Sequence, residues 1–316
     1  MSAIGELQRL NTSTGGPPRK RDTRAARKRD TRAALLFLLP WFAGLLLITA
    51  GPVAASLVLG FTDYNLIQPP EFNGLENFER MLSDERLHNA LRVTFTYVLV
   101  SVPLQLACAL GLALLLDRGM RGLAFYRSAF YLPSLLGSSV AIAVLWRQIF
   151  GAEGLINQFL NVFGIQGTGW ISDPDTALST LIVLNVWTFG APMVIFLAGL
   201  RQIPVMYYEA ASIDGAGRWT QFRRITVPLL SPIIFFNLVL QIIHAFQSFT
   251  QAFVVSGGTG GPSDSTMFYT LYLYQRGFGS FDMGYASALA WLLLLIIAAF
   301  TAVNFWAAKR WVFYDD

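Results

Sequence analysis

Five stretches of the chain, 93–116, 128–146, 177–200, 225–263 and 283–308, contain no Asp, Glu, Lys or Arg, and a further apolar run covers 33–61. A helix rises about 1.5 Å per residue, so about 20 apolar residues cross a hydrocarbon core of about 30 Å. Each stretch is therefore long enough to span a membrane. Helices of a large soluble protein are usually amphipathic, whereas these are apolar nearly all round. The pattern predicts an all-α integral membrane protein with six transmembrane helices.

Composition and charge add an orientation. Of 316 residues, 54% are hydrophobic and 13% are charged, against roughly 25% charged in an ordinary soluble domain. Positively charged loops tend to stay in the cytoplasm. The segment before the first span holds nine basic residues, from Arg9 to Arg32. Alternating from there, the inner loops carry Arg118, Arg121 and Arg127, then Arg201, Arg218, Arg223 and Arg224, and finally Lys309 and Arg310. The outer loops are richer in acids, such as Glu71, Glu76, Glu79, Asp84 and Glu85. Both termini are thus expected inside the cell. The pI near 9.3 comes from this topology and does not call for nucleic acid. Residues 1–33 read as a basic, disordered cytoplasmic tail that at most touches anionic lipid, and 34–316 as one six-span domain. The first apolar run is too long for the core of a cleaved signal peptide and is expected to remain as an anchor.

Soluble chemistry finds little support. Cys108 is the single cysteine, and His88 and His244 lie in different segments, so neither an intrachain disulfide nor a metal cluster is expected. No catalytic residues are assigned. There is no Gly-x-x-x-x-Gly-Lys-Ser/Thr loop, and Lys20, Lys28 and Lys309 are the only lysines. The chain is not expected to bind ATP by itself.

The most specific stretch lies between the fourth and fifth spans, about 204–226. It reads Tyr208-Glu209-Ala210-Ala211-Ser212-Ile213-Asp214-Gly215-Ala216-Gly217, followed by Phe222, Ile225, Pro228 and Pro232. Glu209 to Ile213 can form a short helix, with Glu209 near its N-terminus where the helix dipole favours a negative charge. Its alanines allow another surface to approach, and Gly215 suits a helix stop with positive φ. The prolines fall near the start of the next span, where a missing N–H costs least. The segment therefore reads as two short helices with a tight bend at the membrane face.

This loop resembles the signature of the inner-membrane subunits of bacterial ABC importers. Leu197 to Leu200, Ile203-Pro204, Phe125-Tyr126-Arg127, Tyr131-Leu132-Pro133, Trp146-Arg147, Ile149-Phe150 and Gly284 to Ala288 are similar to the sugar permeases of the maltose and multiple-sugar class. The resemblance covers about residues 34 to 310 and implies a type I ABC importer permease fold in the bacterial cytoplasmic membrane. It further implies a second, homologous permease, two ATPase subunits holding ATP and Mg, and an extracellular solute-binding protein that delivers a sugar. Glu209, Ala210, Ala211, Asp214 and Gly215 would belong to a coupling helix gripped by the ATPase.

Polar residues inside spans are costly unless they face a cavity or a partner. In the fifth span Asn237, Gln241, His244, Ser248 and Gln251 recur at steps of 4, 3, 4 and 3, which lays them on one helix face, flanked by Gln247. The fourth contributes Asn185, Trp187, Thr188 and Phe189. These residues either line the substrate path or hydrogen-bond to neighbouring helices. Arg147 reads as an interfacial anchor within reach of substrate, and the glycines from Gly257 to Gly261 resemble the family's extracellular loop. Two other classes fit the chain less well. An ion-coupled secondary transporter normally needs an intramembrane acid, and the uncharged stretches have none. A non-transporting membrane scaffold has no need of a polar stripe joined to a Glu-Ala-Ala loop.

Overall fold

The computed structural model describes residues 34–118, 122–137 and 139–313. The expected basic tail lies outside them. The chain divides into two compact units, 1–56 and 57–316. The first holds most of α1 (Ala34–Leu59), which passes through a π-turn at Leu45–Ala50. Pro52 follows that turn and has no N–H to donate.

The second unit opens with a two-residue hairpin, β1 (Thr62–Asp63) against β2 (Glu71–Phe72), antiparallel with Thr62 opposite Phe72. Then come α2 (Glu76–Ser83) and the long α3 (Glu85–Asp117). Two helices, α4 (Leu123–Leu136) and α5 (Val140–Ile149), meet at 96°, followed by the short α6 (Leu155–Val162). A second bent pair, α7 (Pro174–Trp187) and α8 (Gly190–Leu200), meets at 41°. After α9 (Val205–Ile213) the chain enters α10 (Arg218–Phe246), then α11 (Thr250–Val255), α12 (Tyr269–Tyr274) and α13 (Met283–Ala308). Among the described residues, α1, α3, α10 and α13 are each long and apolar enough to cross a membrane, and each bent pair makes one more span, giving six.

Two of the six expected spans are bent pairs. The stretches 128–146 and 177–200 each contain a break, and the helix of the fifth span starts at Arg218, before its charge-free stretch, and ends at Phe246. Charge-free runs show where lipid is allowed, not where the backbone stays helical.

The core is arranged around α3, which packs against α7, α8, α10 and α12. Its buried face carries Ala90, Tyr97, Val98, Val102, Ala109 and Ala113 at helical spacing. Thr94, Ser101 and Gln105 are buried on that same face, while Leu99, Leu104 and Leu115 are exposed where lipid is expected. Because lipid tails are as apolar as leucine, close packing and hydrogen bonds must hold such helices together.

One such set fixes the start of α3. Asp84 caps the helix, accepting from the Arg86 and Leu87 N–H groups at 3.1 Å each. Its other oxygen accepts from the hydroxyls of Tyr272 and, at 2.8 Å, of Tyr285, with the Arg276 guanidinium 3.6 Å away. Arg80 pairs with Asp282 at 2.8 Å and lies over the Tyr285 ring, and Arg86 pairs with Asp264 at 3.0 Å. Burial pushes the Asp84 carboxyl up, but hydrogen bonds from both tyrosines and Leu87, together with the Arg276 charge, outweigh it and hold the group below its usual range. The stability it contributes is present above its unfolded pKa of about 3.9 and is lost as pH falls through the lower folded-state value. Asp84→Asn is expected to lower the thermal midpoint of detergent-purified protein at pH 7. A midpoint-versus-pH series should show the wild type losing that advantage only below about pH 3.9.

Candidate functional site

Three helix breaks meet at one place. Pro192 can neither donate to the carbonyl of Thr188 nor tolerate its approach, and α7 ends at Trp187. The freed Thr188 carbonyl accepts from Ser134 Oγ at 2.8 Å and from Gln105 Nε2 at 3.2 Å. Ser134 Oγ also accepts from the Ala191 N–H at 2.8 Å, so one hydroxyl serves both sides of the break. The second break follows Leu136. Gly137 donates back to the Pro133 carbonyl at 2.7 Å, and its own carbonyl accepts from Gln251 Nε2 at 3.2 Å. A Cβ on Gly137 would lie 2.1 Å from Thr188 Cγ2, so the first two breaks pack directly on each other. The third ends α10 at Phe246, after which the Ser248 carbonyl accepts from Thr270 Oγ1.

The breaks enclose a cavity of about 420 Å³. Asn185, Thr188, Gln241, His244, Gln247, Ser248 and Gln251 line it. Trp187 and Phe189, expected beside them, do not. The Trp187 ring packs 6.0 Å from that of Trp146, and Phe189 lies 6.2 Å from Phe130. The polar stripe is not one helix face either, because Ser248 and Gln251 lie past the end of α10. Asn237 is buried within that helix, its amide donating to the Ile233 carbonyl.

The lining residues divide into two groups. Asn185 donates to Ser101 Oγ at 3.0 Å, Thr188 to the Asn185 carbonyl at 2.7 Å, and Ser248 to Gln251 at 3.2 Å. These groups, with Gln251, close the breaks. Among the described residues, the side chains of Gln241, His244 and Gln247 have no partner and are free toward the cavity. Sequence reasoning missed Tyr97, Gln105 and Ser134, which also line it. The spacing test that found the fifth-span stripe would have found Thr94, Tyr97, Ser101 and Gln105 in the second.

The 204–226 segment differs from expectation in its start. Because α9 begins at Val205, Glu209 stands in the middle of the helix rather than at its N-terminus, and the helix dipole does not act on it. Nor is there a second separate short helix. Arg218 begins α10, which passes through a π-turn at Phe222–Thr226. Pro232 lies inside that helix, and Ser231 Oγ satisfies the Pro228 carbonyl it frees, at 2.6 Å. Gly215 closes α9 with φ +77°. The Ala216 N–H bonds the Ala211 carbonyl at 2.9 Å, and Gln221 reaches back to Ser212 Oγ and the Ala216 carbonyl. Glu209, Ala210, Asp214 and Gly215 are exposed, Ala211 is half-buried, and Met206, Ile213 and Trp219 stand out as exposed apolar groups.

Residues 94–312, which include both cavity and loop, match the family described as binding-protein-dependent transport system inner membrane component. The chain belongs to this family. It is similar to the "Probable ABC transporter permease protein YesP" of Bacillus subtilis, 51% identical over 89% of this chain and 91% of that protein. The lactose transport system permease protein LacF of Rhizobium radiobacter is 32% identical over 87% of this chain and 93% of its own length. The trehalose/maltose transport system permease protein MalF of Thermococcus litoralis is 30% identical, over 85% and 90% respectively. A chain from the crystal structure of a bacterial ABC transporter that imports the acidic polysaccharide alginate shares the fold, with a TM-score of 0.76 and 21% identity over 90% of this chain and 99% of that one. The protein is an inner-membrane permease rather than an enzyme.

The hydrogen bonds at the breaks set the first expectation for the site. Gln105 is 2% exposed and bonds the Thr188 carbonyl and hydroxyl and the Asn185 amide. Gln105→Met keeps its shape and leaves those groups short of partners, at an expected cost of about 1–3 kcal/mol. Thermal unfolding of the purified permease measures it.

Proposed function

We propose that this permease and a second, homologous one form the path for a sugar or oligosaccharide delivered by an extracellular solute-binding protein. The observation that carries the reading is the cavity at the breaks, with Gln241, His244 and Gln247 uncommitted beside it. Glutamine amides offer both donors and acceptors and an imidazole adds ring nitrogens that hydrogen-bond, which suits a solute rich in hydroxyls. Among the described residues, no Asp, Glu, Lys or Arg lines the cavity. The named solutes of the relatives, lactose and trehalose/maltose, have this chemistry.

Both termini lie in the cytoplasm in this reading, and the 1–33 tail is a basic arm near anionic lipid. The 204–226 segment is the coupling loop, and ATP with Mg is held and hydrolysed by two partner ATPases. The exposed Ala210, Met206 and Ile213 of α9, with Trp219 at the start of α10, give this segment a groove-binding face. Glu209, Ala211, Asp214 and Gly215 shape that helix and its stop.

Reconstitution of the assembled importer in proteoliposomes tests both halves. Gln247→Ala, Ser248→Ala and Gln251→Leu are expected to alter uptake kinetics with assembly intact, and unchanged kinetics in all three would move the path elsewhere. Gly215→Val introduces strain of roughly 1 kcal/mol or more at a positive φ, and Glu209→Lys reverses a charge in the middle of α9. Both are expected to leave the permease pair intact and to weaken ATPase association or its stimulation by sugar-loaded binding protein. Normal association with full stimulation in both would sink the coupling assignment.

A further inference from the structure

Between the third and fourth spans the chain forms α6, whose sides face three different surroundings. Asn157, 4% exposed, faces the protein. Its amide donates to the Ala152 and Thr168 carbonyls at 2.8 Å each, and its Oδ1 accepts from Trp170 Nε1 at 2.7 Å. Gly167 makes room for this, since a Cβ there would collide with Asn157 Oδ1. The roll of α6 about its own axis is therefore set. Residues three and four apart share a side of a helix, and Leu155, Phe159, Val162 and, just past the end, Phe163 form a side that is 62% to 79% exposed. Gln158 and Asn161, also exposed, make the third side.

The level of α6 follows from its ties. Thr176, in the first turn of α7, donates to the Trp170 carbonyl at 2.8 Å, so the loop that holds Asn157 sits against the end of the fourth span. That end carries Asp173 and Asp175, which belong at the boundary with water. On its other flank α6 packs against α5, where Val144 and Leu145 are exposed and are followed in the last turn by the exposed Arg147 and Gln148. α6 thus lies where the lipid-facing surface of the spans gives way to the polar boundary, the place for a helix with one apolar and one polar side lying flat. A protein that docked there and left again would meet few polar groups of the kind that rim such interfaces. α6 has no charged side chain, and the Gln158 amide is taken by the Glu153 carbonyl at 2.9 Å.

We propose that α6 is a membrane-surface helix, with Leu155, Phe159, Val162 and Phe163 inserted among lipid acyl chains, Gln158 and Asn161 turned to water, and the Asn157 bonds holding it in that roll. Because α6 carries no Lys or Arg, the contact takes neutral and anionic lipid alike. Through Asn157 and Trp170 it holds the ends of the two bent spans at one depth in the bilayer. That the leaflet is the outer one rests on the topology proposed above.

The test uses the assembled importer in phosphatidylcholine nanodiscs, with Cys108→Ala to remove the native thiol and a nitroxide on one new cysteine at a time. Collision with oxygen, which concentrates in lipid, is compared with collision with a water-soluble nickel chelate. Leu155→Cys, Phe159→Cys and Val162→Cys are expected to favour oxygen and Gln158→Cys and Asn161→Cys nickel, with no change at the first three when the solute-binding protein is added. Nickel access at any two of the three apolar positions would overturn the proposal. So would exclusion of both reagents there, the sign of a covering protein, or shielding that appears only with the binding protein. The leaflet is read separately, because a membrane-impermeant maleimide should react with Asn161→Cys from outside right-side-out vesicles. Reaction only after the vesicles are opened leaves the surface helix standing and overturns the proposed topology.

Discussion

A backbone group freed from a helix inside a membrane finds no water, and the cost of leaving it unpaired runs to several kcal/mol. The site depends on that constraint. Pro192 frees the Thr188 carbonyl, the chain turns at Gly137, and α10 stops at Phe246. Each event leaves groups that only side chains from other spans can reach. Ser134 and Gln105 answer the first and Gln251 the second, while Thr270 takes the Ser248 carbonyl at the third. Breaks that satisfy one another must lie together, and where three helices turn aside at one depth a space is left between them.

The polar residues of this permease consequently do two kinds of work. Asn185, Thr188, Ser248 and Gln251 hold the breaks closed, while Gln241, His244 and Gln247 stand free. A cavity walled by hydrogen-bonded breaks is also a means of change. Each of these helices is held at its break by bonds between side chain and backbone. The Asp84 cluster sits at the other extreme. There Tyr272, Tyr285 and Arg276 converge on one carboxylate, and α3 is pinned to α12 and α13. A fixed α3 gives the bent helices a reference against which to move.

The 204–226 segment shows the same economy of satisfied backbone. Gly215 turns the chain after α9, and Gln221 and Tyr208 tie that helix to the beginning of α10 through Ser212, Ala216 and Thr226. α10 then runs from Arg218 to Phe246, where the cavity begins. α9 is thereby joined to one continuous helix that ends beside His244 and Gln247.

The apolar spans, their approximate places and the short helix of the 204–226 segment were legible in the sequence alone. Runs free of charge mark what lipid tolerates, and the order Glu209-Ala210-Ala211 to Gly215 is a local pattern. The helix stop at Gly215 was legible for the same reason, since a positive φ is a property of one residue and its neighbours. The breaks in the third and fourth spans were not. A proline in an apolar run, such as Pro133 or Pro192, can sit in a kinked or an interrupted helix. Which one results depends on whether a distant side chain can take up the freed groups. Gln251 does so for Gly137 across 114 residues, and nothing near Gly137 announces it. Nor could spacing alone separate Trp187 and Phe189 from the cavity, because a stripe drawn on a straight helix loses its meaning once the helix ends. Local chemistry is written along the chain, whereas the satisfaction of buried polar groups is a property of which segments meet, and only the tertiary structure decides that.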